Sequence, residues 1–154
     1  MFTTLLFLHS LFRWLLLAGL LTSIIRAYRG WLGGKPFTKL DNTLRHSTAT
    51  LSHLQLSIGF VLYFSSPLVR HFLANARESL SSIHLTFFGL IHISLMFSAV
   101  VLITLGSAFT KRKENDQAKF KTVAIWLSIA LLLILVAIPW PFSPLAARPY
   151  FREF

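Results

Sequence analysis

The chain has 154 residues, of which 55% are hydrophobic and only 13% are charged. A water-soluble domain carries more charge and less apolar material, so this composition excludes an ordinary soluble protein. The sequence holds no cysteine, which excludes disulfides, thiolate metal sites and thioether-attached haem.

The apolar residues fall into four blocks, near residues 5–25, 44–64, 83–105 and 123–139. Each block is about long enough to cross a bilayer as a helix. The connections are short, so the sequence predicts an all-α fold: one integral membrane domain over residues 1–154, a four-helix bundle running up-down-up-down. The first block lacks a preceding basic segment and a following cleavage site, so we expect a span rather than a signal peptide.

The net charge of +10 is distributed unevenly between the two sides of the predicted bundle. Ten basic residues lie on the side of the first and third loops: Arg26, Arg29, Lys35, Lys39, Arg45, Lys111, Arg112, Lys113, Lys119 and Lys121. The other side has only Arg70, Arg77, Arg148 and Arg152. The positive-inside rule therefore places both termini on the non-cytoplasmic side. We expect the basic loops to contact anionic lipids, and we expect no binding of nucleic acid.

The second block is the most polar of the four. At about 100° per residue it presents two polar or small stripes, formed by His46, Thr50, His53 and Ser57 and by Thr48, Ser52, Gln55 and Gly59. Because such residues favour contact between helices, we expect both stripes to face protein and the second block to be the inner element. The fourth block has no ionisable residue between Lys121 and Pro139, and we expect it to support the bundle and to face lipid.

Two histidines, His53 and His92, lie near the midpoints of the second and third blocks. An ionisable residue at that depth is costly and marks a functional site by default. Two imidazoles at matching depth on separate helices suit the axial ligation of haem iron, so we predict that His53 and His92 hold a haem. The alternative is that each ring hydrogen-bonds a neighbouring helix.

Other residues complete the predicted site. Gly59, Gly89 and Met96 border the two histidines, and glycine leaves room for a flat ring. Arg13 is expected to neutralise a haem propionate, because an unpaired Arg at that depth would cost about 2.5–3.5 kcal/mol. His9 lies one helical turn from Arg13 and is expected to line the outer part of the pocket. His9 and His84 form a second possible ligand pair, and a quinone near either is a further possibility.

Several motifs resemble a known family. They are His9-Ser10-Leu11-Phe12-Arg13-Trp14 in the first block, His53-Leu54-Gln55 in the second, His92 with Met96 in the third, and Ile138-Pro139-Trp140-Pro141-Phe142 at the end of the fourth. In this order they resemble small bacterial four-span membrane proteins labelled cytochrome-b-like. The resemblance covers nearly the whole chain and implies haem b, a bacterial inner membrane, and site positions at His9, Arg13, His53, Gln55 and His92. Ile91 departs from the acidic residue expected before His92.

The sequence thus predicts a multi-pass, b-type haem subunit that passes single electrons, within or beside a respiratory complex. One haem is expected and a second is possible. No span contains a carboxylate, and no nucleophile–base pair is visible, so an electron-transfer subunit is favoured over a stand-alone enzyme. With so little exposed mass, the chain needs a redox partner or a larger membrane complex. The alternatives are a haem-free accessory subunit packed on such a complex and a quinone-binding bundle.

Overall fold

A computed structural model describes residues 2–150, and the described chain is helical with short connections. The elements are α1 (Phe2–Leu32), α2 (Lys39–Ser65), α3 (Pro67–Ala74), α4 (Ala76–Ser79), α5 (Ile83–Thr86), a π-helical turn (Phe87–Ile91), α6 (His92–Lys111) and α7 (Asp116–Ala137). No strand occurs in the described part, which confirms the all-α prediction. Arg152, counted above among the basic residues, lies outside the described residues.

Three stretches are each long and apolar enough to cross a membrane: α1, the continuous run Ile83–Lys111, and α7. The predicted second span, near residues 44–64, lies in α2, which is long and apolar enough to cross a membrane only together with α3, and these two helices are bent by 64° relative to each other. The bend follows from Pro67, because a residue before proline is disfavoured in helical geometry. Ser66 accordingly has φ −73° and ψ 123°, and its side chain caps α3 by accepting from the Val69 N–H.

The first connection is shaped by local chemistry at both ends. Gly34 has a φ of +61°, a left-handed conformation that glycine adopts without steric cost. Thr38 caps α2 through a capping box with Asp41, in which each side chain bonds the other residue's backbone N–H. Helix α2 therefore begins at Lys39, five residues before the predicted start of the second block.

Helix α7 supports the bundle through one buried face and keeps an exposed apolar face, on which Leu132 and Val136 are 63% and 59% exposed. It packs against both α1 and α6, while α2 packs against the same two helices from the other side. In the most apolar 18-residue stretch of α7, 44% of the residues are buried, against 22% in the corresponding stretches of α1 and of Ile83–Lys111. Three small side chains of α7 are completely buried and let neighbours approach closely: Ala124, Ala130 and Ala137.

Two glycines, one on α1 and one on α6, let these helices pack closely against α7. A Cβ on Gly30 of α1 would lie 2.4 Å from the Phe120 ring, and a Cβ on Gly106 of α6 would lie 2.4 Å from Trp126 Cβ. Both contacts are shorter than a side chain allows, so glycine is required for the observed spacing of α1 and α6 around α7. This is the small-residue packing expected between membrane helices.

The connection between α1 and α2 and the connection between α6 and α7 lie together at one end of the protein. The Gln117 side-chain amide donates to the Lys35 carbonyl at 3.3 Å, and the Lys119 ammonium lies 5.8 Å from the centre of the Phe37 ring. We call this the basic end, comprising residues 33–38 and 112–115 with the adjoining helix ends. The opposite end, formed by α3 to α5 and residues 138–150, is called the tail end.

Gly106→Ala is expected to lower the free energy of unfolding by about 1–2 kcal/mol. The added methyl group overpacks the contact with Trp126, which outweighs the helix propensity gained on replacing glycine. Thermal unfolding in detergent measures the change. Ser98→Ala, at an exposed position of the same helix, is the control and should change the midpoint little. An unchanged midpoint for Gly106→Ala would show that the helices separate without cost.

Candidate functional site

A cavity of about 390 Å³ lies between α1, α2 and α6 and is bordered by α3 and the tail. Its walls are mostly apolar, and its size and lining are those of a small-molecule or cofactor site. The lining residues are Phe2, Leu6, His9, Leu16, Ser52, Gln55, Leu56, Gly59, Leu62, Tyr63, Ser66, Pro67, Leu68, Val69, Phe88, His92, Ile93, Met96, Ala99, Val100, Ile134 and Arg148.

Two histidines, His9 from α1 and His92 from α6, meet at this cavity. Their ring centres are 6.4 Å apart, and the ring planes are inclined by 67°. His9 was expected in the outer part of the pocket, and the packed helices bring its ring close to that of His92. Their approach depends on the relative tilt and offset of α1 and α6, which no pattern within either helix specifies.

The His92 ring is held by a backbone carbonyl. Its Nδ1 donates to the Ala137 carbonyl oxygen at 2.7 Å. A carbonyl only accepts, so the proton of the neutral ring is on Nδ1, and Nε2 keeps its lone pair. A backbone carbonyl that accepts from one ring nitrogen and so fixes the tautomer is the usual arrangement for a metal-ligating histidine.

The Pro139-Trp140-Pro141 motif explains why that carbonyl is available. In a continuing helix the Leu135 and Ala137 carbonyls would accept from residues 139 and 141, but proline has no N–H to give. Leu135 accepts instead from the Trp140 indole Nε1 at 2.8 Å, and Ala137 accepts from His92. The two prolines thus leave two carbonyls for side-chain donors, and one of them orients the histidine.

The second helix contributes the facing wall through Gly59 and Gln55. A Cβ on Gly59 would lie 3.3 Å from His9 Cε1, so the glycine makes space for the His9 ring. The Gln55 amide Nε2 donates to the His9 carbonyl at 2.9 Å and ties α2 to α1 at this level. Gln55 Oε1 and His9 Nδ1 are both buried and have no hydrogen-bond partner within residues 2–150. Buried polar atoms of this kind are rare and point to an interaction with a further molecule.

A π-helical turn precedes His92. The Tyr63 hydroxyl donates to the Gly89 carbonyl in this turn at 2.7 Å. A Cβ on Gly89 would lie 2.3 Å from Phe72 Cγ, so this glycine accommodates the Phe72 ring of α3. Gly89 does not line the cavity, in contrast to Met96 and Gly59. Single π-helical turns often lie at functional sites, where they re-aim a side chain.

His53 lies outside the cavity, on an exposed face of α2. Its Nε2 is 2.9 Å from the Thr104 hydroxyl oxygen. Because the Thr104 hydroxyl donates to the Val100 carbonyl at 2.7 Å, it accepts from His53, and Nε2 carries the proton. The structure therefore brings His92 together with His9 and does not bring it into one site with His53.

The two stripes predicted on α2 have different surroundings. Thr48, Ser52 and Gln55 are buried, as expected, whereas the stripe containing His53 is exposed. Its hydroxyl groups bond their own helix, since Thr50 donates to the His46 carbonyl and Ser57 to the His53 carbonyl. The hydroxyl groups of this stripe are thus satisfied within α2, whereas its His53 bonds Thr104 of α6.

Arg13, the residue predicted to neutralise a propionate, contacts the tail instead. Its Nη2 donates to the Tyr150 carbonyl at 2.5 Å and to the Ser10 hydroxyl at 3.2 Å, and the Trp14 indole donates to the same carbonyl at 3.3 Å. These three α1 side chains anchor the tail to the outer part of the helix. Arg13 is not among the residues that line the cavity.

Arg148, which sequence reasoning did not select, lines the cavity from the tail. Its Nη2 donates to His84 Nε2 at 3.2 Å, and its guanidinium lies 5.1 Å from the centre of the Phe88 ring. Tyr63 was also missed. No local pattern marks Arg148, because its position depends on how the tail folds back, whereas the prolines around Trp140 do signal free carbonyls at the end of α7.

Within residues 2–150 no group of three or more His, Cys, Asp or Glu side chains is arranged to hold a metal ion. The site offers two imidazoles and an apolar chamber, a donor set that suits a cofactor which supplies its remaining metal ligands itself. No protein-family model, no curated protein and no solved structure matches this chain. The cytochrome-b-like resemblance therefore stays a prediction from the motifs.

Proposed function

We propose that this chain is a b-type haem membrane subunit that passes single electrons, with His9 and His92 as the axial ligands. The observation that supports this best is the pair of imidazoles at an apolar cavity, one of them fixed by a carbonyl so that its Nε2 lone pair is available. The ligand pair differs from the His53–His92 pair expected from sequence, because His53 lies outside the cavity.

The residues present fit this cofactor. A porphyrin supplies four of the iron ligands, so the protein needs to provide only two, and histidine is a standard axial ligand. The His9 and His92 rings, whose centres are 6.4 Å apart, would hold the haem between them. We propose one haem, since His84 Nε2 already accepts from Arg148.

The other cavity residues have distinct roles in this proposal. Arg148 supplies a cation for a propionate, the role that sequence analysis gave to Arg13. Gly59 leaves space beside His9, while Met96 and the surrounding apolar side chains keep water away from the imidazoles. Haem iron, when bound, supplies one-electron redox chemistry. A single-electron carrier needs a donor and an acceptor, so we propose a redox partner or a larger membrane complex in a bacterial inner membrane.

A quinone is the second candidate ligand for the same cavity. The buried His9 Nδ1 has no partner within residues 2–150 and could donate to a quinone carbonyl. The apolar walls would suit an isoprenoid tail. Organic extraction of the purified protein, followed by chromatography of the extract, distinguishes a bound quinone from haem.

The purified protein from haem-replete cells is expected to show sharp reduced α and β bands after dithionite, with about one haem per chain. His9→Ala and His92→Ala should each abolish these bands because one axial ligand is lost. Added imidazole should restore low-spin bands in either variant, since it refills the vacated position. Absorption spectra and haem quantification measure the effect, and circular dichroism checks that the variants fold.

His53→Ala is the matched control, because it removes an imidazole from the exposed face of α2 and leaves the cavity intact. Its spectrum should equal that of the unaltered protein. Loss of the bands in His53→Ala with retention in His9→Ala would restore the pair expected from sequence. A featureless spectrum of the unaltered protein would overturn the haem proposal and favour a haem-free accessory subunit.

We also propose that the basic end lies in the cytoplasm and both termini outside, following the positive-inside rule. The chain has no cysteine, so single cysteines can be introduced without altering a native thiol. In intact cells a membrane-impermeant maleimide should label the Ala76→Cys variant at the tail end and should leave the Lys113→Cys variant unlabelled until the membrane is opened. Both positions are exposed. The reverse labelling pattern would invert the proposed orientation.

A further inference from the structure

The basic end contains a second cavity, of about 290 Å³, between the last turns of α1, residues 33–38, the start of α2 and Phe120 of α7. It is separate from the histidine cavity, and the two share no lining residue. Three cationic side chains border it: Arg26, Arg29 and Lys35. We call it the Arg29 pocket.

One carboxylate, that of Asp41, also borders the Arg29 pocket. It accepts from Arg26 Nε at 2.8 Å, from the Thr38 N–H at 2.9 Å and from the Thr38 hydroxyl at 2.6 Å. Its side chain is only 5% exposed, against 40% for Arg26. Asp41 is thus committed to capping α2 and to holding Arg26, and its single charge offsets one of the three cations.

The remaining two positive charges have no counter-charge in the part of the chain that the structure describes. The side chains of Arg29 and Lys35 make no hydrogen bond or ion pair within residues 2–150, and both residues are exposed. A guanidinium beside an ammonium presents many donors and no acceptor, which suits the oxygens of a phosphate group.

The residues around the Arg29 pocket indicate that such a phosphate would belong to a lipid. Tyr28 and Trp31 lie on the same end of α1 with ring centres 6.1 Å apart, and Lys121 lies 5.6 Å from the centre of the Trp31 ring. Aromatic and basic residues side by side mark the membrane–water interface, where lipid phosphates lie. The neighbouring apolar residues Ile25 and Leu32 are 55% and 78% exposed and are suitably placed for acyl chains.

We propose that the Arg29 pocket binds the phosphate of an anionic phospholipid, with Arg29 and Lys35 as the principal contacts and Arg26 oriented by Asp41. Gly30 and Phe120 form the apolar floor, where the absence of a glycine side chain permits the Phe120 contact. This site is independent of the haem proposal and extends the sequence-based expectation of general lipid contact to one defined pocket.

Native mass spectrometry of the purified full chain with added phosphatidylglycerol tests the proposal. The Arg29→Gln/Lys35→Gln variant should weaken the tightest lipid-binding step by roughly tenfold or more, because two interfacial cations are lost. The matched control is Arg112→Gln/Lys113→Gln, which removes the same charges from exposed positions at the same end, outside the pocket. The control should bind within about twofold of the unaltered protein.

Three results would overturn the proposal. Equal weakening in both variants would show that the general charge of the basic end, rather than the pocket, attracts lipid. Equal affinity for phosphatidylcholine would show that the net anionic charge is not recognised. Displacement of phosphatidylglycerol by millimolar inorganic phosphate would assign the pocket to free phosphate. Circular dichroism and the reduced spectrum should be the same in both variants, which separates this test from that of the histidine cavity.

Discussion

The hydrogen bond between His92 Nδ1 and the Ala137 carbonyl connects the candidate site to the end of α7. In a membrane every backbone polar group must be satisfied within the protein, so a carbonyl freed by proline must find a side-chain donor. Pro141 frees the Ala137 carbonyl in this way, and His92 provides the donor. The prolines therefore end α7, and the bond to the freed Ala137 carbonyl fixes the tautomer of His92 and leaves its Nε2 without a proton.

The same requirement explains why polar residues in the spans differ in their surroundings. His53 is satisfied by Thr104 on the exposed side of α2, and the hydroxyls near it bond their own helix. His9 Nδ1 and Gln55 Oε1, by contrast, are buried at the cavity without a partner in residues 2–150. Unsatisfied atoms at a cavity are a stronger indication of a ligand than depth in the membrane alone.

Close packing around α7 positions both proposed sites. Gly30 lets Phe120 approach α1 at the basic end, where the same ring forms the floor of the Arg29 pocket. At the other end α7 presents the Ala137 carbonyl to α6. Helix α7 is thus shared by the two ends, and its buried alanines let the neighbouring helices approach closely.

Apolar length and loop charge are local properties, so the helical class, the approximate spans and the concentration of positive charge at one end could all be predicted from the sequence. It also marked His9, Gly59, His92 and Met96, all of which line the cavity. Helix packing brings His92 close to His9 rather than into one site with His53, and it places Arg148 in the lining of the cavity while Arg13 contacts the tail. Equal depth along two helices does not specify which faces meet, since rotation, tilt and the path of the tail follow from packing with α7 and α3.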